Sequence, residues 1–123
     1  QCLRVPVLNG HTAAVFVKFR KKPTKEQLIE ALRNFKGLPQ ELELPSAPKH
    51  FIQYLEEDNR PQVHLDRDYE HGMGISLGRL REDTAFDYKF VGLSHNTLRG
   101  AAGGAVLSAE LLTAKGYITP KNA

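Results

Sequence analysis

The run from Gly72 to Leu80 constrains the fold of this chain more than any other segment, because large and bare side chains alternate along it. The large set is Met73, Ile75 and Leu77, and the bare set is Gly74, Ser76 and Gly78. A period of two predicts a β-strand with one apolar face. A face without side chains lets another chain, a helix or a ligand approach closely. We therefore expect a close neighbour on the bare face of this strand.

Two longer segments also predict strands. The run from Phe86 to Leu93 follows a turn at residues 81–84, so we expect it to form a hairpin with the alternating strand. The run from His11 to Phe19 is rich in β-branched and aromatic residues, and the turn-forming pair Asn9-Gly10 precedes it. Both segments are therefore expected in the same sheet.

Two shorter segments complete the predicted strands. Residues 2–8 predict a short strand, which Pro6 confines to an edge or to the end of a ladder because proline has no N–H. His50 to Leu55 is a further short candidate inside an irregular, proline-rich stretch. The order β-β-α-(β)-β-β-α predicts an α+β fold, with a mostly antiparallel sheet flanked by helices.

The first helix is predicted from its start signal. Thr24 and Gln27 have the spacing of a capping box, in which side chains satisfy the first backbone N–H groups. Apolar residues then recur at helical spacing, at Leu28, Ala31, Leu32 and Phe35. Gly37 and Pro39 are expected to end the helix.

A second helix is predicted from Asn96, as its N-cap, to about Lys115. Its expected inward stripe is Val106, Ala109 and Leu112. Three glycines in it, Gly100, Gly103 and Gly104, each cost about 1 kcal/mol relative to alanine. Close packing of the glycines against a neighbour is the expected compensation.

Length and composition limit the class of protein. The chain has 123 residues, which suits one domain, and its net charge of +3 is too small for the dense basic face of most nucleic-acid-binding proteins. The sequence has no run near the roughly 18 apolar residues of a membrane span. Its single cysteine cannot form an internal disulfide, so we expect a cytoplasmic protein without nucleic-acid or membrane partners.

Arg4 and His11 are the strongest candidates for chemistry. A strand, a tight turn and a second strand bring them to one sheet edge, where an arginine can bind a carboxylate and a histidine can transfer a proton. A surface arginine and a turn histidine are the alternative. Cys2 shares a face with Arg4 on a strand, but a nucleophile so near a chain end is poorly positioned, and we favour a small structural residue there.

The other histidines predict no metal site, because no pair has the i, i+4 spacing of a helical zinc site. They are His50, His64, His71 and His95, and we expect them on the surface or in loops. The segment Gly100–Gly104 is neither a dinucleotide fingerprint nor a phosphate-binding loop.

Three separated segments resemble aspartate-semialdehyde dehydrogenase, in the branch found in fungi and archaea. They are Cys2-Leu-Arg-Val-Pro-Val-Leu-Asn-Gly-His11, Asn59-Arg-Pro-Gln62 with Leu65-Asp-Arg-Asp68, and Val91-Gly-Leu-Ser-His-Asn-Thr-Leu-Arg-Gly-Ala-Ala-Gly-Gly104. The resemblance extends from residue 2 to about residue 118. It implies the catalytic and dimerisation domain of the glyceraldehyde-3-phosphate-dehydrogenase-like C-terminal fold.

The resemblance also implies a reaction. The family reduces β-aspartyl phosphate to aspartate semialdehyde with NADPH and releases phosphate, in the biosynthesis of lysine, threonine and methionine. A cysteine thiolate attacks the acyl phosphate, and hydride transfer follows. By resemblance His11 is the acid–base histidine, Arg4 grips the substrate carboxylate, and Asn96 approaches the nicotinamide end of the cofactor.

Departures from the family pattern are as informative as the matches. The chain lacks the glycine-rich fingerprint of a nucleotide-binding domain, and Cys2 does not stand at the place of the nucleophile. We therefore expect a C-terminal portion of a longer enzyme, inactive alone and without tight NADP binding. Residues 1–95 would form part of the catalytic and dimerisation domain, and residues 96–123 a helix and tail that pack on the nucleotide-binding domain.

The resemblance further implies a homodimer, or a tetramer, assembled through a sheet face. Either the face of Met73, Ile75 and Leu77 or the face of Val15, Val17 and Phe19 could form that interface. Two other functions remain open at this point. The chain could be a non-catalytic dimerisation module, or it could belong to a related acyl reductase such as N-acetyl-glutamyl-phosphate reductase or, as the stronger alternative, malonyl-CoA reductase.

Overall fold

Five strands form one sheet in the computed structural model, which describes residues 1–121. In chain order they are β1 (Cys2–Leu3), β2 (His11–Val17), β3 (Ile52–Leu55), β4 (Ile75–Glu82) and β5 (Tyr88–Ser94). Across the sheet the order is β1-β2-β5-β4-β3. The β3–β4 pair is parallel, and the other neighbours are antiparallel. The predicted α+β fold with a mostly antiparallel sheet is confirmed.

The helices are α1 (Lys25–Arg33), α2 (Leu38–Glu41), α3 (Val63–Asp66) and α4 (Gly103–Ala114). A 3-10 turn (Tyr69–Gly72) precedes β4, and a π-helical turn (Leu98–Ala102) leads into α4. The sequence patterns missed α2, α3 and both of these turns, because each spans only four or five residues and shows no helical period. No helix within residues 1–121 is both long enough and apolar enough to cross a membrane.

Helix α1 begins at the predicted capping box. The Gln27 backbone N–H donates to Thr24 Oγ1 at 3.2 Å, and the Thr24 N–H donates to Gln27 Oε1 at 2.9 Å. The helix ends at Arg33, four residues earlier than the predicted stop at Gly37. Phe35 therefore follows the helix, and its ring packs against that of Phe51 with centroids 5.7 Å apart.

Strand β1 is much shorter than the predicted strand of residues 2–8. Only Cys2 and Leu3 pair with β2, opposite Ala13 and Thr12. Beyond Leu3 the chain leaves the sheet, and Leu8 is 95% exposed. Pro6 has no N–H to donate, so the ladder cannot resume there.

The bare face of β4 is covered by the chain's own segment from Arg60 to Asp66. A Cβ on Gly78 would lie 2.6 Å from the carbonyl oxygen of Arg60, so only glycine allows this approach. Ser76 is completely buried, and its hydroxyl donates to the backbone oxygen of Asp66 at 2.9 Å. The expectation of a close neighbour is confirmed, and the neighbour is α3 with the residues that lead into it.

The opposite face of the sheet contains both of the surfaces that the sequence predicted as possible dimer interfaces. Leu77 of β4 pairs with Gly92 of β5, and Gly92 also pairs with Ala13, two residues before Val15 in β2. Cross-strand partners share a face, so the alternatives are parts of one surface. Helix α1 lies on the β3 side of this face, where the Arg33 guanidinium is 5.6 Å from the centre of the Tyr54 ring.

The last helix differs from its prediction. Its expected inward residues Val106 and Leu112 are 52% and 43% exposed, whereas Leu107 is buried. The prediction was wrong because the apolar residues of α4 are distributed around the whole helix, so apolarity alone does not identify its inner face. Gly103 packs directly against Met73 Sδ, which confirms the expected close contact for this glycine, whereas Gly100 and Gly104 meet only backbone of the residues just before them. Residues 122 and 123 of the predicted tail lie outside the described residues.

Candidate active site

An open cleft of about 340 Å³ lies beside the connection between β1 and β2. Arg4, His11 and Asn96 all line it, together with Cys2 and Thr12. The structure therefore brings the three predicted site residues to one place, although Asn96 is 85 positions from His11 in the sequence. The pairing of β2 with β5 explains this, because His11 stands opposite Ser94, two residues before Asn96.

Arg4 directly follows β1 and His11 begins β2, and both line the cleft. Cys2 pairs with Ala13 and Leu3 pairs with Thr12, so the ladder ends one step before Arg4 and His11. Both residues are exposed, and neither is held in a salt bridge among the described residues. An exposed guanidinium and an exposed imidazole in one cleft can each receive a ligand directly.

The turn before His11 requires glycine. Gly10 has φ = +119°, a conformation that residues with a Cβ rarely adopt. A Cβ at this position would lie 2.8 Å from Val63 Cγ1 and 3.6 Å from Leu93 Cδ1. The backbone that carries His11 thus packs closely on α3 and on the buried Leu93 near the end of β5.

Asn96 does not cap the last helix, and that prediction was wrong. Its Oδ1 accepts a hydrogen bond from the Gly10 N–H at 2.8 Å. His95 provides the cap, because its Nδ1 accepts from the N–H groups of Thr97 and Leu98, each at 3.2 Å. His95 lies in the loop after β5, which agrees with the expectation of a surface or loop position, but it is only 6% exposed and therefore not on the surface.

Charge in the cleft favours an anionic ligand. Among the lining residues Arg4 is the only one with a permanent charge, and none is aspartate or glutamate. A guanidinium without a competing carboxylate can bind a ligand carboxylate through two parallel hydrogen bonds. Cys2 is exposed in the same cleft, as expected if it shares a face with Arg4.

Comparison with known proteins assigns the chain to a family. Residues 1–99 match the family model described as semialdehyde dehydrogenase, dimerisation domain. The chain belongs to the semialdehyde dehydrogenase family. The match includes Arg4, His11 and Asn96, all three of which line the cleft.

Relatives and a solved structure agree with this assignment. Aspartate-semialdehyde dehydrogenase from Candida albicans is 47% identical over 120 residues, which are 96% of this chain and 33% of the relative. Malonyl CoA reductase (NADP) from Metallosphaera sedula is 44% identical over 117 residues, 94% of this chain and 33% of the relative. The crystal structure of the Candida albicans enzyme with NADP superposes with a TM-score of 0.83 at 44% identity, over 94% of this chain and 33% of that chain. The chain spans about one third of the length of these relatives.

The semialdehyde dehydrogenase site contains groups suited to a cofactor but no cluster suited to a metal. No group of three or more candidate ligands for a metal ion occurs in the part of the chain that the structure describes. The Asn96 carbonyl oxygen is taken by Gly10, while its amide nitrogen makes no hydrogen bond to any residue in the range 1–121. Asn96 lines the cleft, and its amide nitrogen is a donor available to a ligand.

Residues of the α3 segment support the site, and the sequence patterns missed them. Asp66 is 3% exposed and accepts hydrogen bonds from Arg60 Nε at 2.8 Å and from the Gln62 N–H at 2.6 Å. These bonds, led by the one from Arg60, hold the pKa of Asp66 below its ordinary value despite burial. Arg60 and Asp66 both lie in the motif that carried the family resemblance, and this motif was the only signal in the sequence that could have identified them.

Proposed function

We propose that this chain supplies the carboxylate-binding arginine and the acid–base histidine of an NADP-dependent aspartate-semialdehyde dehydrogenase. The observation that supports this most directly is the cleft shared by Arg4, His11 and Asn96, which no carboxylate lines. The proposed reaction is the reductive dephosphorylation of β-aspartyl phosphate to aspartate semialdehyde, in the biosynthesis of lysine, threonine and methionine.

Each residue has a role that suits its chemistry. Arg4 binds the α-carboxylate of the substrate through a planar pair of hydrogen bonds, which orients the reacting end toward His11. His11 takes a proton from the attacking thiol and returns one when the tetrahedral adduct collapses. Asn96 presents its amide nitrogen to the nicotinamide, and bound NADPH supplies the hydride.

The nucleophile of the proposed reaction is not Cys2. The resemblance places the nucleophilic cysteine in a part of the family pattern that this chain does not span. Cys2→Ser in the complete enzyme should therefore leave kcat within about twofold of the wild type, since a residue that does not react contributes little to the barrier. A kcat lowered by orders of magnitude, with the protein still folded, would instead make Cys2 the nucleophile.

The proposed assembly is a homodimer that uses the sheet face of Val15 and Leu77. This proposal is supported by the match to a dimerisation domain and by the half-exposed residues Ala13, Val15 and Phe90 on that face. A tetramer would need a second interface. We further propose a cytoplasmic location, residues 1–95 as part of the catalytic and dimerisation domain, and packing of residues 96–123 on a nucleotide-binding domain. The proposed partners include neither nucleic acid nor membrane.

The activity is tested on the complete polypeptide that carries this sequence. We expect phosphate-dependent reduction of NADP with aspartate semialdehyde, and no comparable reduction of malonyl-CoA with NADPH. His11→Asn should lower kcat by roughly 10²–10⁴-fold, while Arg4→Lys should raise KM and also lower kcat. Wild-type kinetics in both variants would refute the residue assignments.

Malonyl-CoA reductase is the second candidate function. It is favoured by the 44% identity to the Metallosphaera sedula relative, which is close to the identity with the dehydrogenase. Malonyl-CoA also carries a free carboxylate that Arg4 can bind. The same substrate comparison separates the two functions, because only the dehydrogenase requires phosphate.

A further inference from the structure

The turn that carries His11 is held from two directions by residues distant in sequence. The Gly10 N–H donates to Asn96 Oδ1, and the α-carbon of Gly10 packs on the Val63 side chain. Val63 is the first residue of α3 and does not line the cleft. Its contact with Gly10 therefore acts on the backbone of the site rather than on a ligand.

Helix α3 cannot hold its own position, because a helix of four residues is far below the length that is stable alone. Asp66, at its other end, provides the attachment. Its carboxylate accepts from Arg60 and from the Gln62 N–H, and its backbone oxygen accepts from the Ser76 hydroxyl at 2.9 Å. Ser76 in turn accepts from Gln53 Nε2 at 2.7 Å, so α3 is fixed to two neighbouring strands, β3 and β4.

We propose that Val63 and Asp66 are positioning residues for His11, with Asp66 fixing α3 and Val63 transmitting that position to Gly10. The proposal rests on the proposed function, in which His11 transfers protons. Because His11 directly follows Gly10, fixing the Gly10 backbone keeps the His11 imidazole at a constant distance from the substrate. A shift of about 1 Å at a proton-transferring group costs on the order of 10²-fold in rate.

The test uses Val63→Ala in the complete enzyme, with Leu65→Ala as the matched control. Both substitutions shorten an apolar side chain of α3, but Leu65 is 57% exposed and is not among the neighbours of Gly10. We expect Val63→Ala to lower kcat by about 10–100-fold while KM changes little, because Arg4 lies outside β2 and is not among the neighbours of Gly10. Leu65→Ala should keep wild-type kcat, and Val63→Ile, which retains both γ-carbons, should restore most of the activity.

Amide exchange of Gly10 provides a readout that does not depend on activity. We expect the Gly10 N–H to exchange faster in Val63→Ala than in the wild type or in Leu65→Ala. Asp66→Asn should show the same effect, and if that variant does not fold, Val63→Ala decides alone. Unchanged exchange in Val63→Ala, or wild-type kcat in this variant while His11→Asn is impaired, would overturn the positioning role. A wild type without dehydrogenase activity would instead overturn the proposed function, and the exchange result would still decide the support of the turn.

Discussion

Gly78→Ala should destabilise the fold through a single atom. The new Cβ would lie 2.6 Å from the carbonyl oxygen of Arg60, about 0.8 Å closer than an ordinary van der Waals contact. The neighbour is backbone, held in place by the hydrogen bonds of Asp66, so it cannot rotate away as a flexible side chain would. Overpacking of this kind costs about 1–3 kcal/mol.

Gly92→Ala is the matched control for this prediction. Gly92 also lies within the sheet, but its Cβ would meet only Leu77 Cδ2, at 3.2 Å, and this methyl group can move by a few tenths of an ångström. Alanine in a strand also stabilises the fold by about 0.5–1 kcal/mol relative to glycine, because its unfolded state has less conformational entropy to lose. We therefore expect Gly92→Ala to be close to neutral.

Urea denaturation of the chain, followed by far-ultraviolet circular dichroism, measures the difference. The free energy of unfolding should fall by about 1–3 kcal/mol for Gly78→Ala and change by less than about 1 kcal/mol for Gly92→Ala. Equal stabilities of the two variants would refute the inference that the bare face of β4 exists to admit the Arg60 backbone.

Two further predictions concern ion pairs. Arg60→Met leaves the buried Asp66 carboxylate without its guanidinium and should cost about 3 kcal/mol in urea denaturation, whereas Arg33→Met, which removes an exposed pair, should cost less than about 1 kcal/mol. The hydrogen bond from Lys89, with two backbone N–H groups, lowers the pKa of Asp83 to about 2 from an ordinary 3.8. A carboxyl whose pKa is depressed by folding stabilises the protein above the unfolded pKa, and this contribution is lost as the pH falls from about 3.8 toward 2. Lys89→Met should therefore raise the pH midpoint of acid unfolding, and an unchanged midpoint would contradict the pairing.

The sequence predicted what local chemistry determines. The capping box at Thr24 and Gln27 defines the start of α1, and the alternation along β4 defines a strand whose bare face needs a neighbour. The location of Arg4 and His11 in one cleft also follows from local chemistry, since the chain turns back between β1 and β2. Each of these features depends on residues a few positions apart.

Features that depend on distant residues could not be predicted from local patterns. Asparagine is a common N-cap residue, but the side-chain oxygen of Asn96 accepts from the Gly10 N–H. The cap is provided instead by a ring nitrogen of His95. Nothing near Asp66 in the sequence shows that its backbone oxygen accepts from Ser76. The inner face of α4 is likewise chosen by what it packs on, because the helix is apolar on all sides.

The π-helical turn at Leu98–Ala102 gives the chain a position at which the loss of one residue can be accommodated. A π-turn contains about one residue more than an α-turn, and each residue of an α-helix rotates its successors by about 100°. Deleting one residue here would therefore convert the π-turn into an α-turn without rotating α4 about its axis. A deletion between Gly103 and Leu107 would instead turn Leu107 away from the core by about 100°. Single-residue deletions among natural relatives should therefore fall within residues 98–102 or in exposed loops such as residues 56–59, and not within α4.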